Sequence, residues 1–136
     1  MLQRINELLN LEVDFAFETT LTTLSYIQTI RLAKEKGYTI TLLFFWLYDV
    51  NLAIERVKMR VSEGGHNIPE EVIKRRYYRG IQNLMTKFID LCDFWFIINN
   101  SSRHFTFVAE GKGNIEIKIH DNPDWQKMLN QTNEKK

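Results

Sequence analysis

YTITLLFFWL, residues 38–47, is the stretch whose reading decides the fold. Apolar side chains fill almost every position from Ile40 to Tyr48, interrupted by Thr41 and stopped before Asp49. A half-solvated strand alternates apolar and polar residues; this one does not, so the run predicts a strand buried on both faces of a parallel sheet. It is far shorter than the roughly 20 residues that a membrane span requires. Upstream, Gly37 closes a predicted helix that starts at Thr19-Thr20, whose hydroxyls are N-cap candidates. Leu24, Ile27, Ile30 and Ala33 form its apolar stripe. Val13 to Phe17 reads as a short strand with Phe15 and Phe17 on one side and Ala16 on the other, preceded by a helix over 2–10 with Leu2, Ile5, Leu8 and Leu9 on one face.

Downstream, the spacing predicts a helix over Asn51–Glu63 and another opened by Pro69 at its N1 position. DFWFII, Asp93 to Ile98, is a further buried strand ending at Asn99-Asn100-Ser101-Ser102. Phe105–Ala109 and Asn114–Ile119 flank Glu110-Gly111-Lys112-Gly113 as a carboxyl-terminal β-hairpin, and a short helix near Trp125 precedes a polar tail. Strands alternating with helices give an α/β protein with a mostly parallel sheet and flanking helices. Chemistry in such sheets gathers at the carboxyl ends of the strands. Glu18-Thr19-Thr20, Tyr48-Asp49 and Asn99 to Ser102 fall at that edge.

The 136 residues fit one domain. The apolar fraction of 44% and charged fraction of 26% are ordinary for a globular protein, and a net charge of +1 provides no global attraction to nucleic acid or a membrane. One cysteine, Cys92, excludes an internal disulfide, and His66, His104 and His120 are unclustered, so no metal site is expected. The amino terminus carries acids and no smooth apolar segment, which fits a cytoplasmic protein better than a secreted one.

The most informative segment for function is RVKMRVSEGGHNIPEEVIKRRYYRGIQN, residues 56–83. It sets Arg56, Arg60, Arg75, Arg76 and Arg79 on two helices joined at Gly64-Gly65-His66. Arginine clamps phosphate oxygens in pairs, and two arginine helices about a glycine hinge have the form of a lid over a nucleotide. The competing reading is two solvated faces whose arginines pair with Glu55, Glu63, Glu70 and Glu71. Glu18 is open to two readings as well: a carboxylate accepting a substrate hydroxyl, or an acid favoured by a helix N-terminus. Glycines stand only at 37, 64, 65, 80, 111 and 113, so no G-x-x-x-x-G-K-[ST] phosphate loop is present. Gly111-Lys112 has Thr106 in place of its first glycine and Gly113 in place of its hydroxyl residue.

DFAFETTL at 14–21, KEKGYTITLLFFWL, the 56–83 segment with its G-G-H-x-[IV]-P-x-x-x-[IV]-x-R-R-[YF]-x-R pattern, and INNSS resemble the zeta-toxin family of P-loop kinases, more narrowly its small bacterial branch. The resemblance implies a P-loop-kinase-like fold transferring the γ-phosphate of ATP, with Mg2+, to a UDP-activated amino sugar as small-molecule acceptor. It also implies an antitoxin protein as a partner. On it, residues 1–136 are a single partial kinase domain with a helical lid over about 51–90. Arg60, Arg75, Arg76 and Arg79 become catalytic lid residues facing the triphosphate, and Gly64, Gly65 and His66 form the hinge. Glu18 and Thr19 line the acceptor side, and Asn100 and Ser101 lie near the adenine, although the family has Asp-Asn-Ser where this chain has Asn99-Asn100-Ser101. Family members carry a first strand, a Walker A loop and an Asn-x-Asp segment before the DFAFETT region. The chain therefore reads as truncated at the N-terminus, separated from an independently encoded front half, or begun at an internal Met1. In each of the three cases it is expected to be inactive alone. The alternative is a non-catalytic remnant that binds a protein or an anion.

Overall fold

The computed structural model describes residues 2–133. The decisive apolar stretch supplies β1 (Thr41–Trp46), which pairs in parallel with β2 (Phe94–Asn99), Leu42 lying beside Trp95 and Phe44 beside Ile97. From β2 the sheet continues through an antiparallel hairpin, β3 (Thr106–Lys112) and β4 (Glu116–Ile119), in the order β1-β2-β3-β4. The expected α/β class and carboxyl-terminal hairpin are present, and the expected mostly parallel sheet is a mixed one among the described residues: one pairing is parallel and two are antiparallel.

The helices are α1 (Leu2–Asn10), α2 (Tyr26–Glu35), α3 (Val50–Ser62), α4 (Glu70–Asn83), a three-residue α5 (Ile89–Leu91) and α6 (Asn122–Thr132). Asp49 caps α3 by accepting from the Leu52 amide at 3.0 Å, and Asp121 caps α6 from the Asp124 amide at 3.0 Å, each satisfying a donor the helix leaves free. Pro69 stands just outside α4, one residue before its predicted place at N1. A π-turn over Leu84–Phe88 joins α4 to α5; both of its end residues are buried in the core.

The core lies on one face of the sheet. Trp46, Trp95, Ile97, Val108 and Ala109 pack against Ile81, Leu84 and Phe88 from the helical arm and Trp125 and Met128 of α6. Trp95 stacks on Trp125 with centroids 6.2 Å apart, and Gly111 lies beneath it: a β-carbon there would sit 2.5 Å from Trp95 Cζ2. Only glycine fits that position without movement. On the other face Leu43 is 53% exposed, Phe45 56% and Phe94 38%, with Phe96 half-buried. The expectation that the 38–47 run is buried on both faces is thus overturned, because the described helices that build the main core gather on one side.

Two further expectations are corrected. Val13–Phe17 is not a strand: it has no regular structure, the Val13 carbonyl accepts the Tyr38 hydroxyl at 3.0 Å, and Phe15 and Phe17 join Ile5, Leu9 and Ala33 in a second apolar cluster. Its side chains found a core without a ladder. The helix predicted from Thr19-Thr20 begins instead at Tyr26. Leu21 turns the chain at φ 59, and the hydroxyls bond one another, Thr20 to Thr22 at 2.9 Å and Thr23 to Ser25 at 2.8 Å, rather than capping. Leu24 consequently falls outside the helix and is exposed.

Candidate functional site

The carboxyl ends of β1 and β2 lie side by side, and the loops leaving them make the floor of the candidate site. The Asn100 amide donates to the Trp46 carbonyl at 2.8 Å, and the Tyr48 amide donates to Ser101 Oγ at 2.8 Å. Asn99 Oδ1 accepts from the Ser101 amide at 3.0 Å while its Nδ2 donates to Asp124 Oδ2 at 3.0 Å. Arg56, half-buried on α3, donates from Nη2 to the Asn100 carbonyl at 2.7 Å. The structure therefore places Asn100 and Ser101 at the strand ends and engages the Asn100 backbone and the Ser101 hydroxyl in tying the two loops together.

A second set of contacts fixes α4 to this edge. The Tyr77 hydroxyl donates to the Leu47 carbonyl at 2.6 Å and accepts from Gln131 Nε2 at 3.0 Å. Gln131 also donates to the Tyr48 carbonyl at 3.2 Å, and its Oε1 accepts from Trp46 Nε1 at 2.9 Å. Burial pushes the Tyr77 phenol well above its ordinary range, so it is a neutral donor across physiological pH. At the far end of α4, Gly80 leaves only 3.0 Å between a notional β-carbon and the Thr20 carbonyl, and Asn83 Nδ2 donates to the Leu21 carbonyl at 2.6 Å. Thus α4 spans from the loop after β1 to the segment following Thr19.

The arginines divide sharply. Arg56 belongs to the floor, whereas Arg60, Arg75, Arg76 and Arg79 are exposed and their guanidinium groups have no hydrogen-bond or ion-pair partner among the described residues. The local glutamates do not neutralise them: Glu70 pairs with Lys58 at 3.1 Å instead. With 3.6 residues per turn, Ile73, Tyr77 and Gly80 define the packed side of α4. Arg75 falls opposite that side, Arg79 toward the same solvent face, and Arg76 at the boundary. The hinge between α3 and α4 is built for glycine. Gly64 has φ +102, and at Gly65 the amide donates to the Arg60 carbonyl at 2.7 Å, where a β-carbon would approach that oxygen to 2.8 Å. His66 is exposed beside it.

Glu18 and Thr19 directly precede the Thr20-Leu21 segment that the carboxyl end of α4 touches. Both are exposed; Thr19 Oγ1 accepts from the Leu21 amide at 3.3 Å and lines a cavity of about 190 Å³ with Ala16, Tyr26, Thr41 and Leu42. The structure thus brings together the strand ends, Arg56 and α4, and leaves the four outer arginines and Glu18 facing solvent. Sequence reasoning counted Arg56 among the arginines of the lid helices, whereas the structure uses it in the floor, and it did not single out the Tyr77–Gln131 network. Arg56 carried a legible signal, lying one helical turn before Arg60, whereas nothing in the sequence joins Tyr77 to a glutamine 54 residues away.

Cys92 is buried, and burial pushes its thiol up to about 11, with Asp93 adding to the shift and Lys34 opposing it. It is no nucleophile at neutral pH. Among the described residues no three His, Cys, Asp or Glu side chains are grouped to hold a metal ion, and no helix is long and apolar enough to cross a membrane.

Comparison with known proteins adds three findings. A family model described as zeta toxin matches residues 2–105. The chain is 38% identical over 65 residues to an uncharacterized protein of Haemophilus influenzae, a match covering 48% of this chain and 46% of that protein, so it spans about half the relative's length. No solved structure matches.

Proposed function

The chain belongs to the zeta toxin family, and from that membership we propose that it is built as part of an ATP-using kinase, transferring a γ-phosphate to a hydroxyl of a sugar-nucleotide-like acceptor. Arg60, Arg75, Arg76 and Arg79 face the polyphosphate, with Gly64, Gly65 and His66 as the hinge on which they move. Glu18 and Thr19 line the acceptor side, and Asn100 and Ser101 stand near the base. The observation that carries this reading is that the family match includes both arginine helices while those four guanidinium groups lack partners among the described residues. Phosphoryl transfer spreads negative charge over the equatorial oxygens, and catalysis is mostly positioning and charge stabilisation, the service that bidentate, always-charged arginines supply.

The residues present fit one component of that ligand and not the other. Unpaired arginines suit a polyphosphate. Neither a glycine-rich loop in the sequence nor a group of three metal-binding side chains among the described residues offers the cradle and ligands for a metal-bound triphosphate. The 136-residue chain alone therefore does not turn over.

The test has two arms. Incubation with ATP, Mg2+ and UDP-N-acetylglucosamine, read by phosphorus NMR, is expected to give no phosphorylated sugar nucleotide; turnover at an ordinary kinase rate of about 1 s⁻¹ or more would refute inactivity. Titration with tripolyphosphate by calorimetry is expected to show weak, salt-sensitive binding that falls about tenfold in Arg75→Ala/Arg76→Ala/Arg79→Ala, roughly the worth of one charge-assisted contact at an exposed site. Binding unchanged in the triple variant removes the lid assignment. A second reading, a non-catalytic module that binds an anion or a protein, is favoured by one observation: the Asn100 amide and carbonyl and the Ser101 oxygen already take part in bonds that tie the neighbouring loops together. Tripolyphosphate binding without ATP preference supports that reading, and tighter binding of ATP excludes it.

A further inference from the structure

The bare face of the sheet is organised in rows. By the strand register, Leu43, Phe96, Glu110 and Lys118 form one row across β1, β2, β3 and β4. The adjacent row begins with Thr41 and Phe94 and continues to Lys112 and Glu116. Phe94, Phe96, Glu110, Lys112, Glu116 and Lys118 line one shallow depression of about 200 Å³ on this face. The β1–β2 half is thus apolar and open to solvent, and the β3–β4 half carries two acids and two lysines arranged so that the sign alternates both along each strand and across the pair.

That checkerboard is its own complement. A two-fold axis running across the strands, between the two rows, exchanges them. It sets Lys112 over the second copy's Glu110 and Glu116 over the second copy's Lys118, and Phe94 over the second copy's Phe96. Every stacked charge then meets its opposite, while the exposed phenylalanines and Leu43 are removed from water. Two sheets packed face to face lie about 10 Å apart with strands within about 30°, a separation that a lysine and a glutamate bridge together. A net charge of +1 opposes association only weakly. We propose that this face is the interface of a symmetric homodimer, two copies of the chain stacked sheet on sheet. Strands about 4.8 Å apart and six residues of about 3.3 Å give a plan of roughly 400 Å² per copy, below the roughly 800 Å² per partner of a standard interface, so assembly is weak and concentration-dependent.

Sedimentation equilibrium from about 1 to about 200 µM, a range suited to weak association, tests the interface. The weight-average mass is expected to rise from 16.2 kDa towards twice that value. Leu43→Lys/Phe94→Lys and Lys112→Glu/Lys118→Glu, the second stacking acid on acid, are each expected to hold the mass at the monomer. The fourfold exchange Glu110→Lys/Lys112→Glu/Glu116→Lys/Lys118→Glu inverts the checkerboard without destroying its complementarity and is expected to restore the dimer. Circular dichroism reports whether each variant folds; should the lysine pair on the apolar half fail to fold, the two charge variants decide alone. A wild-type chain that stays monomeric, that grows past two copies, or that dimerises regardless of Lys112→Glu/Lys118→Glu overturns the proposal, as does an exchanged variant that remains monomeric.

Discussion

Tyr77→Phe isolates the polar network that fixes α4 to the sheet edge. The phenylalanine keeps the ring and its packing while removing one oxygen that makes two hydrogen bonds, donating to the Leu47 carbonyl at 2.6 Å and accepting from Gln131 Nε2 at 3.0 Å. A net contribution of about 0.5–1.5 kcal/mol for each bond gives an expected loss of about 1–3 kcal/mol. The lower half of that range follows if water reaches Leu47, which is only half-buried; the upper half follows if its carbonyl is left without a partner. Gln131 retains its bonds to Trp46 Nε1 and the Tyr48 carbonyl, so the remaining network is not dismantled. Urea unfolding followed by tryptophan fluorescence measures the change, because Trp46, Trp95 and Trp125 all lie in the main core. With an m-value of about 2 kcal/mol/M, the midpoint is expected to fall by about 0.5–1.5 M. Gln131→Ala and the double variant complete a cycle whose coupling energy is expected at about 0.5–1.5 kcal/mol. A loss under about 0.3 kcal/mol, or an additive cycle within that margin, refutes the network as the tie between α4 and the loop after β1.

Four further outcomes follow from single contacts. The Cys92 thiol is raised from 9.0 to about 11 chiefly by burial, so the folded state favours its neutral form; that stability is complete below pH 9 and is lost progressively between pH 9 and 11, on the order of 2–3 kcal/mol at 1.36 kcal/mol per unit. Cys92→Ala is expected to flatten this limb in urea titrations at increasing pH. Gly65→Ala sets a β-carbon 2.8 Å from the Arg60 carbonyl and is expected to cost about 1–3 kcal/mol and to speed proteolysis at the hinge. Gly111→Ala meets both Trp95 and the Glu116 carbonyl and is expected to cost more, with a changed tryptophan spectrum as its signature. Asp49→Ala removes the α3 cap and is expected to lower stability by about 1 kcal/mol in thermal melts, an effect absent in Asp49→Asn.

The elements legible in the sequence were those whose cause is local. Gly37 ends α2, and glycine marks the hairpin, although its turn lies at residues 113–115 rather than at the predicted Glu110–Gly113, because Gly111 and Lys112 are still paired in β3. Position in the sheet was not legible in this way. The unbroken run of Leu42 to Trp46 looks the same whether one face or two are covered, because composition records no neighbours; Leu43 and Phe45 lie open while Leu42 and Phe44 pack against the core. Val13–Phe17 failed for the same reason. Its phenylalanines are needed by α1 and α2 whatever the backbone does, and strand formation requires an edge to pair with. Beside the site, the turn between α3 and α4 was readable because φ +102 at Gly64 favours a residue without a side chain. The role of Arg56 depended on where β2 ends, and that of Tyr77 on a helix more than fifty residues later.

The same contrast bears on what this chain contributes to phosphate chemistry. At the strand ends the named polar contacts close on one another: amide to carbonyl, amide to hydroxyl, guanidinium to carbonyl. A ligand arriving there must break protein bonds of roughly equal worth, which leaves little net affinity. The lid is the reverse. Three outer arginines sit on α4, which Tyr77, Gly80 and Asn83 hold from its middle to its carboxyl end, and Arg60 sits on α3 beside a turn built for glycine; no described carboxylate neutralises the four. Any affinity for polyphosphate therefore resides in α3 and α4, and it is electrostatic, exposed and screened over about 10 Å at 0.1 M salt. Raising the salt should weaken tripolyphosphate and ATP in parallel, since Ser101 is already held in the loop by the Tyr48 amide. A preference for ATP that survives high salt would mean that the strand-end loops open, and the Tyr48 amide would then lose its bond to Ser101, a change visible as faster hydrogen exchange at that amide.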